Sequence, residues 1–120
     1  MPRPVGRALS SAEFWTLMAR WKVSDQMALD LIGFPGKVGR SGKRPRFRFS
    51  TKQRRITSYL AEIDAALDAI GRDPSWLHRR SRAALSGQSP IDHMISAGES
   101  GVAEVLRVLN HAAMKAALAR

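Results

Sequence analysis

Large apolar side chains recur along this chain three or four positions apart, the period of one face of an α-helix. Phe14, Leu17, Met18 and Trp21 form the first stripe, behind Ser10-Ser11-Ala12-Glu13, which has the form of a capping box. Trp15 falls off that stripe and needs a separate place to pack. Met27, Ala28, Leu31 and Ile32 form a second, shorter stripe after Ser24 as N-cap. It stops at Gly33, which takes the left-handed C′ conformation without a Cβ clash, and Phe34-Pro35 makes the turn. Two helices so closely linked, with small Ala28 near the crossing, predict a helix-turn-helix.

The longest stripe follows a second capping box, Ser50-Thr51-Lys52-Gln53, and places Ile56, Leu60, Ile63, Leu67 and Ile70 on one seam before Gly71. Such a seam suits a central core helix or a contact between two copies of the chain. Asp73-Pro74 caps a short segment in which Trp76 and Leu77 bury while Arg79, Arg80 and Arg82 stay outside. Ser89-Pro90 repeats the device ahead of Ile91, Met94 and Ile95, and Gly98 closes that helix. Ser100 or Gly101 leads into a last helix with Val102, Val105, Leu106 and Leu109 on one side, and its end, from Ala112 to Arg120, is rich in alanine. The pattern predicts an all-α fold with no β-strand.

Between the second and third stripes the pattern lapses. Gly36, Gly39 and Gly42 alternate with Lys37, Arg40, Lys43 and Arg44, and three glycines inside a helix would cost about 3 kcal/mol relative to alanine. The run also fails the phosphate-loop template, because Lys37 stands where its first glycine belongs and Arg44 replaces its hydroxyl residue. Arg46-Phe47-Arg48-Phe49 alternates with period 2, so an extended segment separates the arginines from the phenylalanines. The aromatics either stack on bases or anchor the segment to the core; the second reading is favoured.

Charge sharpens the picture. The 120 residues carry a formal net charge of +10, and all of it lies in residues 1–55, where thirteen Lys and Arg face only Glu13, Asp25 and Asp30. A field of one sign over one part of a molecule attracts polyanions, so nucleic-acid contact is expected there. Lys52, Arg54 and Arg55 crowd the start of the third helix, where its dipole disfavours cations and an external anion would be welcome. The chain has no cysteine, which excludes disulfide scaffolds, thiol catalysis and cysteine-ligated metals. Basic Met1–Arg7 is followed by no apolar run and no stretch approaches a membrane span, so a soluble cytoplasmic protein is expected.

Catalytic chemistry is not expected. His78, His93 and His111 include no pair at i, i+4, no Gly-x-Ser-x-Gly elbow occurs, and Asp64 with Asp68 reads as a solvated helix face rather than a carboxylate pair.

The second half carries a more specific pattern. Asp73-Pro74-x-Trp76-Leu77, then Leu85-Ser86-Gly87-Gln88-Ser89-Pro90-Ile91-Asp92, Met94-Ile95 and Gly98 resemble the toxin-binding domain of Xre/MbcA/ParS-type antitoxins. Trp21-Lys22-Val23-Ser24 through Ala28 to Leu31-Ile32-Gly33 is similar to their degenerate helix-turn-helix. The resemblance implies a basic arm (1–9), a helix-turn-helix domain with its long helix (10–71) and a toxin-binding domain (72–120). It further implies an antitoxin that covers the active site of a RES-domain, NAD-consuming toxin and binds operator DNA as part of a homodimer; no cofactor belongs to the antitoxin itself. The alternative is a stand-alone DNA-binding regulator.

On this resemblance the toxin-binding residues are Trp76, Ser89, Pro90, Ile91, Met94, Leu106, Leu109, His111, Met114, Lys115 and Arg120. Most of the apolar ones also suit a core. The terminal helix is either a plug whose cations reach an anion-binding pocket in the toxin or a frayed end without a role. The expected DNA contacts are Lys37, Arg40, Lys43, Arg44, Arg46, Arg48, Lys52, Arg54 and Arg55. The glycine-rich run stands where the family carries its reading helix, so these contacts address phosphates before bases.

Overall fold

A computed structural model describes residues 8–39, 42–80 and 85–118. Arg40, Arg82, Arg120 and the arm at 1–7 lie outside the described residues. The helices are α1 (Ser11–Arg20), α2 (Asp25–Leu31), α3 (Thr51–Ala69), α4 (Pro90–Ala97) and α5 (Glu99–Leu118), with 3₁₀ turns at Pro74–His78 and Leu85–Gly87. The fold is all-α, and no strand occurs among the described residues.

The starts of α1, α2, α3 and α4 are fixed by local chemistry. Ser10 Oγ accepts from the Glu13 N–H at 3.1 Å while Glu13 Oε1 accepts from the Ser10 N–H at 3.0 Å. Ser50 and Gln53 reciprocate in the same way at 3.1 and 2.8 Å. Ser24 caps α2, and Ser89 caps α4 with Pro90 at the first helical position. Each such cap contributes about 1 kcal/mol.

Three helix ends share one device, in which the N–H two residues beyond the last turn reaches back five positions and the N–H before it closes a tighter bond. After α2 these are Phe34 to Leu29 and Gly33 to Asp30; after α3 they are Arg72 to Leu67 and Gly71 to Asp68. After α1 they are Val23 to Met18 and Lys22 to Ala19. Gly33 and Gly71 hold the required positive φ, as the sequence predicts, but after α1 the position falls to Lys22, at φ 56°.

The buried side chains form one cluster that runs from Phe14 on α1 to Leu109 on α5, drawing on both halves of the chain. Ile56, Leu60, Ile63 and Leu67 of α3 lie at its centre, at most 1% exposed, and α5 packs along α3. Because the chain buries this seam itself, it is not available to a second copy; a homodimer would need another surface.

Helix α4 sits against both α5 and α2. Gly98, at φ 69° and ψ −144°, breaks the chain between α4 and α5 so that α5 folds back at once. Gly101 does not lead into α5 but lies inside it, buried against α4, where a Cβ would come within 2.7 Å of the Ala97 Cβ and 2.8 Å of the His93 carbonyl oxygen. Close approach of the two helices explains a glycine in a helix interior.

Candidate interaction surfaces

From Gly36 to Ser50 the described residues form no helix; the chain runs as an irregular connector from α2 to α3. The glycines and Pro45 disfavour a helix, and side chains hold the backbone instead. The Val38 N–H donates to Gln26 Oε1 at 3.0 Å, and the Gly42 N–H donates to the Gly39 carbonyl at 2.8 Å. Arg44 forks onto Asp25 (Nε to Oδ2 3.2 Å, Nη2 to Oδ1 3.3 Å) and lies over the Trp15 ring at 4.5 Å, which gives the off-stripe tryptophan its partner.

Phe47 packs on Phe34 with ring centroids 4.2 Å apart, and Phe49 meets Phe14 edge-on at 5.7 Å. Arg46 and Arg48, between and beside them, are exposed. The alternation therefore anchors the connector with its aromatics and leaves the arginines in water.

The expected DNA contacts divide into two sets. Arg44 is held by Asp25, and Arg55 by Glu99 at the start of α5 (Nε to Oε2 2.7 Å, Nη2 to Oε1 3.3 Å). The Arg55 hydrogen bond holds the Glu99 carboxyl below its ordinary range and the guanidinium above its own. Within the fold each of these two exposed cations is paired with a carboxylate, which the sequence reading does not include. Their partners are 19 and 44 residues away, beyond the reach of local pattern. Lys37, Lys43, Arg46, Arg48, Lys52 and Arg54 are exposed and form no ion pair among the described residues. Arg40 lies outside the described residues.

The expected toxin contacts divide more sharply. Pro90, Ile91, Met94, Leu106 and Leu109 are buried within the chain, and Ser89, 5% exposed, accepts from the Asp92 N–H at 3.2 Å as the α4 cap. Within this chain these six serve as core and capping residues; helical period shows that a face is covered but not by what. Trp76 is half-buried, with Arg72 over its ring at 5.1 Å. Arg120 lies outside the described residues.

His111, Met114 and Lys115 are exposed on α5, which continues nine residues beyond Leu109, about 14 Å at 1.5 Å per residue. Met114 is 62% and Leu118 79% exposed. At about 100° per residue they lie roughly 140° and 180° around the helix from Leu109, on the face turned away from the core. Sequence reading overlooks Leu118, although its i, i+4 spacing to Met114 and its place off the buried seam are both visible in the chain.

The remaining polar clusters are structural. Asp64 is no member of a carboxylate pair: one oxygen holds Arg20, and the other accepts from the Trp21 indole N–H at 3.1 Å. His78 Nε2 donates to the Trp21 carbonyl and His93 Nε2 to Glu104, each at 2.7 Å. The Ser75 N–H, donating to Asp73 at 2.8 Å, lowers the Asp73 carboxyl. Among the described residues no group of His, Asp and Glu could hold a metal ion, and no helix is long and apolar enough to cross a membrane. An open groove of about 360 Å³ between α1 and α3 is lined by Leu9, Leu17 and Ala61 with Arg20 and Asp64, whose polar groups already bind each other. No family model, curated protein or solved structure matches the chain.

Proposed function

We propose that this chain is the antitoxin of a type II toxin–antitoxin pair, that its partner is a RES-domain toxin consuming NAD, and that the end of α5 is the element that docks. The observation carrying the reading is the helix that outruns its core. Past Leu109 no side chain of α5 is buried, yet Met114 and Leu118 remain large and apolar, in water. Sealing each in a partner's cleft would gain about 1.5–3 kcal/mol. With His111 they stand at i, i+3 and i+7, the spacing by which a helix lies in a groove, and Lys115 flanks them.

The order of Trp76, Ser89-Pro90 and Gly98 along the chain supports the family reading, although those residues serve mainly to build the lobe that carries α5. Co-expression with the RES-domain protein of a neighbouring reading frame tests the proposal. The full chain should preserve cellular NAD, and a chain ending at Asn110 should not, while keeping its helical circular-dichroism spectrum. Full protection by the shortened chain would reject the docking role of α5.

A stand-alone DNA-binding regulator is the other reading, and the basic connector supports it. That connector replaces the helix a regulator would insert in the major groove, so inhibition ranks first and nucleic-acid contact accompanies it.

A further inference from the structure

We infer that the connector between α2 and α3 is a phosphate-binding segment: it grips the nucleic-acid backbone and reads no base sequence. The inference rests on the nucleic-acid part of the reading above and needs no toxin.

Three observations carry it. First, Lys37, Lys43, Arg46, Arg48, Lys52 and Arg54 are exposed and form no ion pair among the described residues, although Lys52 helps to lower the Glu99 carboxyl from nearby, whereas the neighbouring Arg44 and Arg55 are paired with Asp25 and Glu99. Among the described residues the fold thus pairs two of these cations and leaves six facing solvent. Second, the scaffold is fixed. Phe47 and Phe49 pack on Phe34 and Phe14, so Arg46 and Arg48 project from an anchored backbone. Anchoring also lowers the ordering cost of binding.

Third, the described residues here form no element that would carry the arginines into the major groove to reach base edges. The major groove admits an α-helix or a two-stranded ribbon, and the described residues of this connector form neither. Gln53, the only amide side chain from Gly36 to Arg55, is turned to Ser50 as a cap and is 8% exposed. Backbone contact by Lys and Arg positions a protein without specifying sequence. Lys52 and Arg54 in the first turn of α3 oppose its dipole, a cost that a bound phosphate would reverse.

Fluorescence anisotropy on the full chain tests this, using a labelled duplex of its own upstream region and a scrambled duplex of equal length and composition, between about 50 and 200 mM salt. The two duplexes should bind within a few-fold of each other. The logarithm of affinity should fall with that of salt at a slope near −5, about 0.9 for each of the six cations. Arg46→Gln with Arg48→Gln should reduce the slope by about 2, and Lys52→Gln with Arg54→Gln by the same amount while raising the melting temperature. Arg79→Gln with Arg80→Gln, away from the connector, should leave the slope unchanged.

A preference of tenfold or more for the upstream duplex would overturn the inference and leave nucleic-acid binding standing. Failure to bind either duplex at the lowest salt would overturn both. An unchanged slope in the connector variants, or capture by phosphatidylcholine–phosphatidylserine vesicles in place of duplex, would also reject it.

Discussion

The indole N–H of Trp21 donates to Asp64 Oδ1 at 3.1 Å, joining the end of α1 to the middle of α3 across 43 residues. Trp21 is 1% exposed, so this carboxylate is the partner that makes burial of the indole tolerable. Its carbonyl meanwhile accepts from His78, so one residue links α1, α3 and the first 3₁₀ turn. Asp64→Ala leaves the indole donor unpaired and should destabilise the fold by about 1–3 kcal/mol in urea titration. Asp64→Asn keeps an acceptor and loses only the exposed pair with Arg20, a change well under about 1 kcal/mol. Equal losses in the two variants would place the stabilisation elsewhere.

Gly101→Ala sets helix propensity against packing. Alanine gains about 1 kcal/mol over glycine in a helix interior, but the new Cβ meets the His93 carbonyl oxygen at 2.8 Å, and that oxygen belongs to α4 backbone and cannot rotate away. Overpacking of this kind costs about 1–3 kcal/mol, so the urea midpoint should fall. A raised midpoint would show that α4 and α5 can separate freely.

Lys22→Gly should do the reverse. Lys22 holds φ 56° in the position that glycine fills after α2 and α3. Relief of about 1–2 kcal/mol of left-handed strain, less about 0.4–1 kcal/mol of added freedom in the unfolded chain, leaves a gain on the order of 0.5 kcal/mol. Thermal melting should show it as an upward shift.

Acid should weaken the fold through Glu99 and Asp73. Both carboxyls lie below their ordinary values when folded, Glu99 through the Arg55 hydrogen bond and Asp73 through the Ser75 N–H. Their contribution is complete above the unfolded pKa, about 4, and is lost as pH falls through the lower folded values. Melting temperature should therefore decline below about pH 4, and Glu99→Gln should make that decline shallower. Both groups face solvent, so added salt should reduce the effect.

The elements legible in the sequence are those whose cause is local. Ser10, Ser24, Ser50 and Ser89 each cap a helix with a partner three residues away, and Gly33 and Gly71 mark helix ends by their own conformation. The end of α1 is less visible because a lysine holds the left-handed position. The candidate surfaces were legible only in part. A helical stripe shows that Met94 and Leu109 are covered, but whether by this chain or by another is decided by tertiary packing. Arg44 and Arg55 look as free in the sequence as Arg46 and Arg54, and only the fold brings Asp25 and Glu99 to them.

The variant Met114→Glu with Leu118→Glu tests the proposed docking by the far end of α5 most directly. Both residues are exposed, so the variant should keep the wild-type melting temperature. Titrated calorimetrically into a RES-domain toxin from the neighbouring reading frame, it should bind at least a hundredfold more weakly than the wild-type chain, given about 1.5–3 kcal/mol for each apolar group, and NAD turnover should return. Binding and inhibition equal to those of the wild-type chain would contradict the account.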